Sequence, residues 1–147
     1  MTTPERPTFG PAGPTAPVGH TPLVRLQRIP LGHTKAELHV KCEWMNPAGS
    51  VKDRPAWRMI VDAEQRGLLQ PGRELLDSTS GNTGIALAQL AAARGHRITL
   101  CLPSNTNLVR QRLLRLLGAT LVLTDPLEGA DGARAVAHRM ALEQPNT

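Results

Sequence analysis

From Leu38 onward, the apolar positions of the chain follow two alternating periods. Leu38 to Glu43, Glu74 to Ser78, Arg97 to Leu102 and Thr120 to Thr124 are short runs with the length and composition of strands. Pro55 to Arg66 instead places Trp57, Ile60, Val61 and Glu64 at helical spacing, and Gly67 stands where a helix would be capped. Thr83 to Arg94 is apolar almost all round, as a helix covered on both sides would be, and Gly95 ends it. A third helical run aligns Val109, Leu113, Leu116 and Leu117 on one face before Gly118, and a fourth extends from about Gly129 to Glu143. Strands separated by helices need crossover connections. The pattern therefore predicts an α/β fold, an open three-layer sandwich with a mainly parallel sheet and right-handed crossovers.

Ahead of this alternation the composition changes. Residues 1–18 are rich in Pro, Gly and Thr, which predicts a disordered arm, and residues 19–147 form one α/β domain. Gly19 to Leu26 reads as a turn entering a short extended segment, with Pro22 keeping Thr21 out of the helical region. At 147 residues, a single domain removes roughly 70% of its unfolded surface from water. Aromatic residues make up only 2% of the chain, so Leu, Val, Ile, Ala and Met must build the core.

Charge and composition exclude several functions. No apolar run is long enough to cross a bilayer and no hydrophobic signal region opens the chain, which predicts a cytoplasmic protein without a membrane partner. Cys42 and Cys101 fall in strand-like runs and are expected as buried, reduced thiols. The histidines at positions 20, 33, 39, 96 and 138 lack metal-ligand spacing, so no metal is expected. The formal net charge of +5 invites an anionic partner. Arg110, Arg112 and Arg115 have no aromatic residues between them, however, which marks a solvated face rather than a nucleic-acid surface.

Two stretches carry the candidate chemistry. Asn46-Pro47-Ala48-Gly49-Ser50-Val51-Lys52-Asp53-Arg54 sets Lys52 on a tight turn at the mouth of a helix, beside Arg54 and near the positive end of the helix dipole. A lysine in a loop is ordinarily a solvated charge; once deprotonated it is a nucleophile towards aldehydes. Thr79-Ser80-Gly81-Asn82-Thr83-Gly84 opens the next helix with small residues and hydroxyls. It reads equally as an anion site and as an ordinary capped helix start. Lys52, this loop, Pro103 to Asn105 and Asp125 to Gly129 all follow strand-like runs, so a parallel sheet would bring all four to its carboxyl edge, where open α/β folds bind ligands. No dinucleotide fingerprint, P-loop or Gly-x-Ser-x-Gly elbow is present.

Together the two stretches resemble the fold-type II pyridoxal-phosphate enzymes, in particular the cysteine synthase (O-acetylserine sulfhydrylase) and cystathionine β-synthase family. The resemblance runs from about Gly19 to the end of the chain. It implies the N-terminal domain of the tryptophan synthase β-like fold, with pyridoxal 5'-phosphate as cofactor. Lys52 matches the lysine that holds the cofactor and acts as the base on the substrate's Cα, and Asn82 the asparagine that hydrogen-bonds the cofactor's 3′-oxygen. Thr79, Ser80, Gly81, Asn82 and Thr83 match the loop that holds the substrate carboxylate. The implied reaction is β-replacement of O-acetylserine by sulfide to give cysteine. The resemblance leaves two other readings, a cystathionine β-synthase-like enzyme and an inactive fragment serving as an interaction module. The family's phosphate-binding Gly-rich loop has no counterpart before Thr147. That implies a truncated chain, paired as a homodimer or with a complementing C-terminal half. Departures from the family pattern are His20 where Asn is usual, Pro55 directly after Arg54, and Ser104 to Val109 in place of Met-Ser-x-Glu.

Overall fold

The computed structural model describes residues 18–27 and 36–143. Of the predicted arm at residues 1–18, positions 1–17 lie outside the described residues, as do His33, Lys35 and positions 144–147, whereas Val18 is described and packs against the larger core, so the expectation of disorder does not hold there. Five strands and four α-helices follow in order among the described residues: β1 (Leu23–Arg25), β2 (His39–Lys41), α1 (Asp53–Gln65), β3 (Glu74–Asp77), α2 (Asn82–Arg94), β4 (Arg97–Pro103), α3 (Leu108–Leu116), β5 (Thr120–Thr124) and α4 (Gly129–Glu143). A single 3-10 turn, Glu43–Met45, follows β2.

The strands β3, β4 and β5 form a parallel sheet in sequential order, with Glu74 opposite Arg97 and Thr99 opposite Thr120. Each strand sends alternate side chains to opposite faces. Leu75, Ile98, Leu100, Leu102 and Leu121 join the larger core with Ala56, Ile60, Leu90 and Leu114 from α1, α2 and α3. Leu76, Cys101 and Val122 face α4 through Ala133 and Ala137. These are the three layers expected from the pattern, and they rest almost wholly on aliphatic residues. No helix among the described residues is long and apolar enough to cross a membrane.

Two expectations are corrected. The run feeding Lys52 is not part of the parallel sheet: β2 pairs antiparallel with β1 in a separate two-stranded sheet, Val24 opposite Val40. Its residues are mostly exposed, so nothing in their pattern required a place in the core. Cys42, expected within that strand, is buried just after it, where the 3-10 turn begins.

The second correction concerns α3. Val109, Leu113 and Leu116 do not face the core; Leu116 is 84% exposed, whereas Leu114 is 0% exposed and Gln111 only 3%. Gln111 tolerates burial because its amide donates to the carbonyls of Ser104 at 3.2 Å and Thr106 at 2.7 Å, which pins the turn leaving β4. A hydrogen-bonded glutamine thus takes a core position that the apolar spacing assigned to leucines.

Helices α1 and α2 run in the same direction. A short turn leads from α1 to the start of β3, and Gly95 and His96 lead from α2 to the start of β4, so both helices end at the amino edge of the parallel sheet. Their first turns therefore point to the carboxyl edge. Lys52 reaches that edge because its helix begins there, not because a strand of the sheet ends there.

The orientation of α3 gives a direct comparison. Leu114→Ala should cost about 2–5 kcal/mol of stability, the range for emptying a core leucine site, while Leu116→Ala should stay within about 0.5 kcal/mol of the parent. Urea unfolding of the two variants checks this; equal costs would mean that the helix is rotated.

Candidate active site

The turn that presents Lys52 is built around two carboxylates. Asp53, 1% exposed at the start of α1, accepts from the backbone amide of Ala48 at 2.6 Å through Oδ1 and from that of Ser50 at 3.2 Å through Oδ2. It thereby closes the Pro47 to Ser50 turn from below. The Ser50 Oγ accepts from the Lys52 amide at 3.2 Å, and Gly49, at φ +80°, makes the reversal that a Cβ would strain. Pro55 falls in the first turn of α1, where its missing N–H has no intrahelical partner to lose. The unusual Arg54-Pro55 pair is therefore compatible with the helix.

The second carboxylate is Glu43, whose side chain is 21% exposed. Its Oε1 accepts from Thr21 Oγ1 at 2.9 Å and Arg54 Nη2 at 2.8 Å. Its Oε2 accepts from Arg54 Nε at 3.0 Å and Asn46 Nδ2 at 2.8 Å. Asn46 in turn accepts from the Gly19 amide at 2.8 Å. His20 beside it is exposed at φ +50°, a backbone state that both Asn and His tolerate better than most residues.

Arg54 is therefore not a neighbour that acts on Lys52. Its guanidinium is committed to Glu43 and to Thr21, which it also reaches at 3.1 Å, because a bidentate carboxylate outcompetes a solvated position. The Arg54 hydrogen bonds, helped by Asn46 and Thr21, hold the Glu43 carboxyl at about 2 against an ordinary 4.5. Glu43 raises Arg54 in return. Glu43, Asn46, Asp53, Arg54 and Thr21 were all missed as site-building residues. The available signal was an acidic residue inside a strand-like run, matched by an arginine in the motif itself.

Lys52 is exposed, and its ammonium meets no acceptor among the described residues. Lys41 differs: its Nζ donates to the Thr21 carbonyl.

The Thr79 to Gly84 loop leaves β3 and enters α2 at the same edge. Gly81 precedes α2 with extended backbone and without a side-chain cap, so the first amides of the helix point outward unpaired. Asn82 and the hydroxyls of Thr79, Ser80 and Thr83 likewise make no hydrogen bond among the described residues. The capped-start alternative accordingly has no support in the geometry, and the loop has the donors of an anion site. A Cβ on Gly81 would meet nothing within 4 Å, so the space above it is open. A Cβ on Gly84 would lie 2.9 Å from the Thr79 carbonyl oxygen and 3.0 Å from Thr79 Cγ2, so glycine lets the loop fold onto its own helix. Arg110, in the first turn of α3, donates to the Ser80 carbonyl at 3.5 Å and adds a cation beside the loop. An amine without an acceptor and an uncapped helix start with free hydroxyls suit a cofactor carrying an aldehyde and a substrate carrying a carboxylate.

Comparison with known proteins identifies the family. Residues 15–147 match the family described as pyridoxal-phosphate dependent enzyme. Cysteine synthase B of Pseudomonas aeruginosa is 52% identical over 126 residues, covering 86% of this chain and 42% of that protein. Cysteine synthase A of Escherichia coli is 51% identical over 128 residues, covering 87% of this chain and 38% of that protein. The crystal structure of cysteine synthase from Entamoeba histolytica superimposes with a TM-score of 0.85 at 36% identity, covering 99% of this chain and 43% of that one. The chain spans about two fifths of the length of these relatives.

Two expected outcomes test the site's framework. Folding lowers the Glu43 carboxyl from 4.5 to about 2, so its stabilising contribution is complete above pH 4.5 and is lost as pH falls towards about 2. In urea titrations, the stability advantage of the parent over Glu43→Gln should be constant near neutrality and shrink across that window; an advantage independent of pH would refute the pairing. Gly84→Ala should destabilise by about 1–3 kcal/mol through overpacking against Thr79, measured in the same assay.

Proposed function

Since this chain belongs to the pyridoxal-phosphate dependent enzyme family, we propose that it carries the amine-bearing and carboxylate-binding part of a cysteine synthase, within an N-terminal domain spanning residues 19–147. The observation that carries this reading is the shared edge: Lys52 at the start of α1 and the uncapped Thr79 to Thr83 loop at the start of α2. Lys52 and Asn82 are the residues that would hold pyridoxal phosphate, which when bound supplies an electron sink for charge developing at the substrate's Cα.

The protein's own groups supply positioning and proton transfer. The amides and hydroxyls of Thr79, Ser80, Gly81, Asn82 and Thr83 bind the α-carboxylate of an amino acid and orient its Cα–H bond. Lys52, as the free amine, takes the Cα proton and returns it at the end of the turnover. In the overall exchange, the bond from Cβ of O-acetylserine to its acetyl oxygen breaks, acetate leaves, and sulfide forms the new Cβ–S bond of cysteine. The assignment of O-acetylserine and sulfide rests on the cysteine synthases the chain resembles. A cytoplasmic site and a homodimer accord with this reading.

Three lysines, Lys35, Lys41 and Lys52, make the reading simple to test. After incubation with pyridoxal phosphate and borohydride reduction, peptide mapping should find the label concentrated on Lys52, with Lys41 protected by its bond to Thr21. Lys52→Ala should abolish the selective label. A label spread evenly over the three lysines would overturn the proposal.

A further inference from the structure

The far ends of α1 and α2 are joined by a partly buried ion-pair cluster. Arg94 Nε donates to Glu64 Oε1 at 2.8 Å and Arg94 Nη2 donates to Glu64 Oε2. His96 Nε2 lies 2.7 Å from the same Oε1. The side chains are 15%, 22% and 13% exposed for Arg94, Glu64 and His96, and the Arg94 guanidinium lies 5.1 Å from the centre of the Trp57 ring. The hydrogen bonds of Arg94, followed by that of His96, hold the Glu64 carboxyl below the usual range.

This cluster lies at the end of the helices opposite the candidate site. Glu64 and Arg94 are thirty positions apart, the separation that also divides Lys52 from Asn82. Each partner therefore stands twelve residues beyond its counterpart at the site, or about 18 Å along a helix rising 1.5 Å per residue. The core around α1 and α2 is rich in small side chains, Ala56, Ala86, Ala88 and Ala91 among them. Such contacts are non-directional and present shallow ridges, so they resist separation of the helices more than sliding along them. A forked guanidinium on a carboxylate, by contrast, has one geometry.

We propose that Glu64 and Arg94 are positioning residues that set the axial register of α1 against α2, and so the level of Lys52 relative to the Thr79 to Thr83 loop. The inference rests on the reading of Lys52 given above. A helix transmits axial displacement along its length, so a slip of one residue at the clamp moves Lys52 by about 1.5 Å. A misplacement of that size at a reacting group can lower a rate by about 10²-fold.

The test measures register and chemistry separately on the full chain. Spin labels on Met59→Cys and Ala93→Cys, both exposed positions, report the separation of the helices, while Cys42 and Cys101 are buried. Glu64→Gln and Arg94→Lys should each shift or broaden that distance distribution by about 1.5 Å at a temperature where circular dichroism shows the parent's helix content. Both should also slow borohydride trapping of pyridoxal phosphate at Lys52. If Glu64→Gln fails to fold, Arg94→Lys, which keeps the charge and loses the fork, decides. An unchanged distance distribution in the folded variants overturns the clamp. Failure of the parent itself to be trapped at Lys52 would instead overturn the function proposed above, and the distances would still decide the clamp.

Discussion

The start of α1, from which Lys52 projects, is tied to the segments before it by the Glu43 carboxylate. Glu43 offers about four lone-pair directions, and four donors use them: Thr21, Asn46 and two N–H groups of Arg54. A partly buried charge is tolerated only when it is paired and its remaining acceptor capacity is filled. That condition draws together three segments distant in sequence: the turn at Gly19 to Thr21, the 3-10 turn at Glu43 to Asn46, and the first turn of α1. Beneath them Asp53 ties the Pro47 to Ser50 turn to the same helix start. The loop bearing Lys52 is therefore braced from both sides, although the residues of the loop itself bury little apolar surface.

Charge pairing also accounts for which cations remain available. Arg54 and Arg94 are held by Glu43 and Glu64, and Lys41 by the Thr21 carbonyl. Lys52 meets no acceptor within the described residues, and the loop at Thr79 to Thr83 has donors without partners. Elsewhere in the turn the amides of Ala48, Gly49, Ser50 and Lys52 all donate within the chain. In the function proposed above, the unpaired groups are the ones that would meet the cofactor and the substrate carboxylate.

Helix α1 connects these two features mechanically. It begins in the Glu43 network, packs along α2, and ends in the Glu64 cluster, with an ion pair near each end and small aliphatic contacts between. Apolar packing supplies the cohesion and the ion pairs supply direction. The same division holds at α3, where the core accepts Gln111 because its amide secures the turn after β4, while larger apolar residues of that helix stay outside.

Much of this was legible in the chain. The order of strands and helices from Glu74 onward, the parallel sheet, and the loops at its carboxyl edge all follow from periodicity and glycine placement, which are local properties of the backbone. The same holds for the two motifs and the residues they place at helix starts, since a turn between a strand-like and a helix-like run is read from its neighbours. Tertiary structure decided the rest: that β2 pairs with β1 outside the main sheet, that α3 turns Leu114 and Gln111 inward, and that Arg54 serves Glu43 rather than Lys52. Several of these outcomes depend on partners beyond the reach of one element's pattern, 11 positions for Arg54 and Glu43, 22 for Thr21 and Glu43 and 33 for Thr21 and Arg54. Periodicity says which residues share a face of one element, but only the folded chain determines what that face meets.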